Sequence, residues 1–491
     1  MKDNDIEVLD FDDEVIYTEK KVVESKKIFV SNGLSERRLK RVAATEVKSV
    51  KVDKKSDKKS DKKGKYGIGE KIFLSVSIMF IIGCFIFYGY RTYHFYHLTH
   101  DIVKNITLKE KLTSLNNIAF QNDGLYEKSG YYYYKGLDVN NYVYYSGRLF
   151  RIIDIDKNIR MIEDSTETNL VWTFESNYSN SYIQQWLKNY LETLKDYDVY
   201  LDKSEWCNDA IDLNDYNCST VINDYVGLLS TNDYLQAGGK NSYLNNETYF
   251  WTINQDLDGN VYYINNEGNI NNLSKKEENY YSYGIRPVIT LKADIGIISG
   301  DGSKNSPFII EDLGNALLKD NSIGSFVEYY DDTYRIIGID DKGVSLIYDD
   351  VLEVEKSYND VYKYLNNEFI KKYNKTDLVK NDYYINEYSY NNKYIRANSN
   401  KKSNYITIPS IGDLFLNSSN GYWLNDFSNS KLGLYYILDE NGMLFSDLSS
   451  SKHYIKPIIK LNLEMVVSSG TGMEADPLIV GEEGEGNVEK N

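Results

Sequence analysis

Proline is nearly missing, at 5 in 491 residues, and histidine and cysteine stand at only 4 and 3. Three of the four histidines, His94, His97 and His100, share one short stretch, HFYHLTH. That leaves His453 alone beyond it, and Cys207 and Cys218 lie in a different part of the chain. A cysteine nucleophile with a histidine base in one domain is thereby excluded. No G-x-S-x-G elbow, phosphate-binding Walker loop or H-E-x-x-H helix occurs anywhere. Basic residues are outnumbered, 56 against 73, for a net charge of −17 and a pI near 4.9. Nucleic acid is a poor partner for such a chain, because affinity for phosphate backbones comes from clustered lysine and arginine.

Against these absences stand 47 tyrosines. Tyrosine faces stack on sugars, and an AT-rich coding sequence yields the same excess. One apolar run is present: IFLSVSIMFIIGCFIFYGY, from Ile72 to Tyr90, has 19 uncharged residues. As a helix it rises about 28 Å, one hydrocarbon core. Residues 1–70 hold 18 basic and 15 acidic side chains, a net of +3, which leaves −20 for the rest. The basic stretch KSVKVDKKSDKKSDKKGK before the run predicts an N-terminus in the cytoplasm and everything after residue 90 outside. Residues 1–70 read as a disordered tail, 71–91 as a transmembrane signal anchor, 92–124 as a stalk and 483–491 as an acidic tail.

Four of the five prolines fall in two stretches that align without a gap, Tyr283–Ile310 and His453–Val480. Ile285, Pro287, Ile289, Leu291, Ser299, Gly300, Gly302, Pro307 and Ile309 recur identically 170 positions later. The match extends upstream in the same order. YVYYSGRLFRIIDID pairs with FVEYYDDTYRIIGID, IQQWLKNYL with VYKYLNNEF, and the Trp251 hairpin with the Trp423 hairpin. Colinear blocks of this kind are the signature of a duplicated domain. Each copy reads as strands broken by turn signals, one amphipathic helix, a long irregular region, a hairpin and closing strands. The expected fold class is therefore α+β, in two tandem domains spanning 125–312 and 313–482, the second degenerate.

Cys207 and Cys218 close a ten-residue loop in WCNDAIDLNDYNC, found only in the first copy, and are candidates for a disulfide. Arg286 and Lys456 stand at equivalent places in otherwise apolar strands, where a cation ties a carboxylate or loop carbonyls or meets a ligand. Trp251 and Trp423, also equivalent, anchor a core or stack on a ligand. These four are the candidate ligand-binding residues. The irregular loops at 195–250 and 373–420 differ most between copies, and loops on a rigid scaffold carry function.

The blocks YYYKGLDVNNYVYYSGRLFRIIDID, FWTINQDLDGNVYYINNEG and YGIRPVITLK with SGDGSKNSPFII resemble a domain of uncharacterised surface proteins from low-GC bacteria. Their Trp … Gly … G-[IV]-R-P layout also resembles the C-type-lectin-like fold shared with sulfatase-modifying factors. The resemblance implies an anchored extracytoplasmic protein with no established activity. Formylglycine generation would need a reactive cysteine pair in the closing part of the fold, where this chain has none. The expectation is a non-enzymatic, single-pass cell-membrane protein, touching lipid at its anchor, that needs no cofactor or metal and binds a surface glycan or protein. A regulatory or assembly scaffold acting through the cytoplasmic tail is the alternative, and wall-sugar hydrolysis the third reading.

Overall fold

The computed structural model describes residues 9–11, 14–16, 106–114, 118–172, 177–213, 217–274, 281–386 and 401–481. These fall into two compact units: Met1–Ile106 with Asp198–Tyr200, and Thr107–Tyr197 with Leu201–Asn491. In the first unit Leu9–Phe11 pairs antiparallel with Glu14–Ile16. The second unit holds both copies of the repeat.

Each copy is built mainly from two sheets. The larger sheet of the first copy runs in spatial order Val226–Leu228, Pro287–Leu291, Ile159–Glu163, Arg148–Ile155, Tyr131–Lys135, Gly124–Lys128. Tyr142–Tyr145 pairs with Arg148–Ile155 as well, and Phe308–Ile309 returns to lie parallel on Tyr142–Tyr145. The larger sheet of the second copy runs Ile406–Thr407, Ile458–Leu461, Val344–Tyr348, Asp332–Ile339, Phe326–Tyr329, Leu478–Val480, Val467–Ser469. The smaller sheets correspond strand by strand. The first holds Thr168–Val171, Ser282–Ile285, Phe250–Gln255, Val261–Ile264 and Ile270–Leu273, and the second Leu352–Ser357, Lys452–Ile455, Tyr422–Asn429, Leu434–Leu438 and Leu444–Leu448. The hairpin Gly124–Lys128 with Tyr131–Lys135 has no counterpart among the described residues of the second copy.

Local chemistry explains the repeated closing motif. In S-G-x-G…P, Gly300 and Gly470 both sit at φ +96°, and a Cβ there would fall 1.9 Å from the carbonyl oxygen of Pro307 or Pro477. Only glycine permits that approach. The turn then delivers Phe308–Ile309 back to Tyr142–Tyr145 and Leu478–Val480 back to Phe326–Tyr329, equivalent strands of the two copies. Each copy also opens on a short helical turn pinned to its closing segment. The Leu108 amide donates to Ile295 O and that of Leu318 to Met465 O, each at 2.9 Å. Residues 107–112, expected as stalk, thus belong to the packed unit, and Leu108 and Leu112 are buried.

The main helices, Tyr182–Leu191 and Tyr358–Asn367, have ten residues each. Ser181 caps the first, its hydroxyl accepting from the Gln184 amide. Ile183, Leu187, Tyr190 and Leu191 form its buried face, and Tyr358, Val361 and Leu365 that of the second.

Two expectations are corrected. The α+β class does not hold, because strand takes 42% of the described residues against 15% for helix, in several sheets. Irregular regions in the sequence reading contain strand pairs with no apolar alternation, such as Ser204–Cys207 with Val221–Asp224 and Asn381–Tyr384 with Lys401–Asn404. The membrane reading does not carry over either. Among the described residues no helix is long and apolar enough to cross a membrane, and the ten-residue helices are only about 15 Å long. The run at 72–90, with the 71–91 anchor drawn from it, lies outside the described residues. Membrane anchoring, lipid contact and cell-membrane localisation are therefore set aside.

Candidate functional site

The four candidate ligand residues are all internal. Trp251 and Trp423 are 1% and 0% exposed. Their indole N–H groups donate to Leu170 O (2.8 Å) and Lys356 O (2.9 Å), both in the strand that precedes the helix of their own copy. Trp251 packs on Tyr283 at 4.8 Å between ring centres, and Trp423 packs edge-on against His453 at 4.6 Å. They are core anchors whose polar ends are satisfied.

Arg286 donates to Glu163 O (3.0 Å) and Leu244 O (2.6 Å), and its guanidinium lies 4.9 Å from the Phe250 ring centre. Burial brings it down to about 10. Lys456 donates to Asp349 O (2.6 Å), Asp350 O (3.3 Å) and Asn417 O (2.9 Å). Both cations tie the end of one strand to the segment that enters the tryptophan strand. They are supports, and Asn417, which Lys456 holds, stands on the rim of a cleft.

That cleft, of about 230 Å³, lies where the two copies meet. Corresponding segments of both copies build it. Glu247–Tyr249 and Asn417–Ser418 are the segments that lead into the tryptophan strands. Asn266 and Asp439–Gly442 come from the turns of the hairpins that follow. The two turns are made alike: Asn265 Oδ1 accepts from the Glu267 and Asn269 amides (3.1 and 2.8 Å), and Asp439 Oδ1 from those of Asn441 and Met443 (2.9 and 2.7 Å). Duplication thus supplies the same two loops twice and turns them toward one space.

The seam is fastened by polar contacts. Asn417 Nδ2 donates to Thr166 O (2.9 Å) and Thr166 Oγ1 (2.5 Å). The Ser282 hydroxyl donates to Gly442 O (3.2 Å) and accepts from the Leu444 amide (2.9 Å). On the inner side, Asn169 is only 3% exposed, and its Oδ1 has no hydrogen-bond partner among the described residues. A buried acceptor left unmet costs about 1–3 kcal/mol unless something donates to it.

An aromatic ladder leads from the cleft. Tyr249 stacks on Tyr283 (5.2 Å, 20°), and Tyr283 on Tyr281 (5.9 Å, 25°), with Tyr281 39% exposed. The second copy has Gly421, His453 and Ser451 at these places, so the ladder belongs to the first copy. No lysine, arginine or histidine lines the cleft among the described residues, whereas Glu247, Asp439 and Glu440 do.

Gly442 makes the narrow geometry possible. It has φ +76°, and a Cβ on it would stand 2.2 Å from Asn169 Nδ2. Gly442→Ala is expected to lose about 1–2 kcal/mol of stability from the left-handed backbone alone and to push Asn169 into the cleft. The urea midpoint measures the first effect and ligand titration the second; a variant with unchanged midpoint would show that the turn yields without strain.

Cys207 and Cys218 are disulfide-bonded, with Cα atoms 5.8 Å apart. The bridge lies outside the cleft, next to Trp206, whose indole covers Gly227 so closely that a Cβ there would be 2.3 Å away. Sequence reasoning placed the binding surface in the loops at 195–250 and 373–420. The cleft draws on 247–249 and 417–418 from those ranges and on both hairpin turns and Asn169, which lay outside them. The matched turns N-N-E-G and D-E-N-G were the available signal for the hairpins. Nothing in T-N-L-V marked Asn169.

Compared with known proteins, the chain matches no family model, no curated protein and no solved structure.

Proposed function

We propose that this chain is a non-catalytic binding protein whose two copies jointly hold a hydroxyl-rich ligand of the glycan class. The observation that carries the reading is the cleft itself: equivalent loops of two copies converge on one space around the unmet acceptor of Asn169. Amide and carboxylate side chains on its walls suit sugar hydroxyls, which both donate and accept. The tyrosine ladder at its edge offers flat apolar faces of the kind sugar rings stack on.

Binding is favoured over hydrolysis by where the perturbed carboxyls sit. Glycoside hydrolysis needs a carboxyl raised by its surroundings and within reach of the scissile bond. Burial pushes up Asp154, Glu163 and Glu311, and these are 2%, 1% and 2% exposed. None of them lines the cleft.

The test is titration of the full chain against an array of polysaccharides and oligosaccharides, with the Gly442→Ala variant in parallel. Saturable binding by the wild-type protein that the variant loses is the expected result. Binding that survives in the variant would place the ligand elsewhere, and a folded protein that binds none of them would end the glycan reading.

A further inference from the structure

The charge in the cleft narrows the ligand further, on the premise that the glycan reading above is right. Three carboxylates face a space with no cation of its own among the described residues. Asp439 spends one oxygen on its own turn. Glu247 and Glu440 are exposed and form no ion pair among the described residues. Independently, the buried group waiting at the inner wall is an acceptor, Asn169 Oδ1, and so asks the ligand for a donor. A neutral sugar meets the acceptor and leaves the field unanswered; an anionic sugar is repelled. A metal ion would need a tight shell of oxygens, and no group of three or more acidic, histidine or cysteine side chains able to hold one occurs among the described residues. An ammonium group asks for less: its three N–H bonds need acceptors at ordinary hydrogen-bond distance, spread around it.

We infer that the cleft takes a glycan bearing free primary ammonium groups, of the amino-sugar class, with Asn169 receiving a hydrogen bond and Glu247, Asp439 and Glu440 supplying the countercharge. Residues on both copies are required, since Asn169 and Glu247 come from the first and Asp439 and Glu440 from the second.

The experiment is calorimetric titration of the full chain with three tetrasaccharide probes: the glucosamine tetramer, its N-acetylated counterpart and cellotetraose. The two exposed carboxylates are then replaced together, as Glu247→Gln with Glu440→Gln, changes that remove charge without touching the core. The expected result is that the glucosamine tetramer binds at least about fivefold tighter than either uncharged probe, the size of two or three weak exposed charge pairs acting together. That preference should shrink in high salt and vanish in the double variant. Equal or tighter binding of the uncharged probes would overturn the ammonium assignment and leave the glycan reading in place. Preference for glucosamine that persists in the double variant would overturn the site. Binding of none of the three would count against both.

Discussion

Replacing Arg148 with methionine is expected to remove about 3–5 kcal/mol of unfolding free energy, the usual loss when one partner of a buried ion pair is deleted. Arg148 is buried at the seam, and its Nε donates to the Glu167 carboxylate. Its other nitrogens donate to Ser146 O (2.9 Å), to Ile323 O of the second copy (2.9 Å) and to Thr193 Oγ1 (3.0 Å). Glu163 lies 4.0 Å from Arg148 Nε and receives the Tyr190 hydroxyl at 3.1 Å. Arg335 enters from the second copy, donating to Gly147 O at 3.1 Å and lying 3.6 Å from the Phe415 ring centre. Methionine fills much of the volume and supplies none of these bonds. Two carboxylates would remain in a dry interface with only Arg335 nearby.

The same cluster sets a pH dependence. Burial, and then the neighbouring Glu167, push the Glu163 carboxyl well above its ordinary 4.5, while Arg148 pulls it back. A carboxyl whose folded value is raised contributes stability that is complete below 4.5 and is lost as pH rises through the folded value. Without Arg148 that folded value climbs further, so the Arg148→Met penalty should be larger at pH 8 than at pH 5. Urea unfolding at the two pH values measures it, and adding Glu163→Gln and Glu167→Gln should recover most of the loss. A single variant as stable as wild type would mean that the cluster is not coupled to folding.

How much of this was legible in sequence depends on the range of the interaction. The duplication was plain because it is written in local backbone demands. Gly300 and Gly470 must approach Pro307 and Pro477, and no other residue allows it. The helix at Tyr182–Leu191 was equally readable from its apolar spacing, with Asn180 or Ser181 as the cap, and the structure uses Ser181. Strand content was under-read because pairs such as Asn381–Tyr384 with Lys401–Asn404 lie in polar stretches that lack the apolar alternation of a half-buried strand. The candidate site was mostly hidden. Asn417 meets Thr166 across 251 positions, and Asn169 is an ordinary strand residue until Gly442 of the other copy covers it. Tryptophans and strand cations stood out as rare and equivalent. In the fold these residues are internal, while the walls of the cleft carry asparagines and glutamates that sequence cannot rank.

Lys456 is expected to contribute about 3 kcal/mol more stability at about pH 9.5 than at about pH 7, read as the difference between wild type and Lys456→Arg. Lys456 is 0% exposed, and burial pushes its ammonium from 10.5 down to about 7, against the pull of Asp349 and Asp350. In this window the unfolded chain holds the proton and the folded chain releases it. Wherever the unfolded state binds more protons, raising the pH favours folding. The contribution is complete above the unfolded value of 10.5 and is lost as pH falls through about 7. The upper limit of the test is set by tyrosine. Burial pushes Tyr190, Tyr243 and Tyr334 well above 10, so their contribution starts to be lost once the unfolded tyrosines ionise near that value. Lys456→Arg is the control, since the first copy places Arg286 at the same position and that guanidinium falls only to about 10. An arginine stays charged in both states across the window, and this contribution should disappear. Urea titrations of both proteins at several pH values across that window decide it: a difference between them that does not change with pH would remove Lys456 as the source. The three carbonyls around Nζ connect this to the cleft, because one of them belongs to Asn417 on its rim. A neutral amine has two N–H donors for three acceptors, so as Lys456 loses its proton the rim loses part of its support, and ligand affinity should weaken as pH rises through about 7.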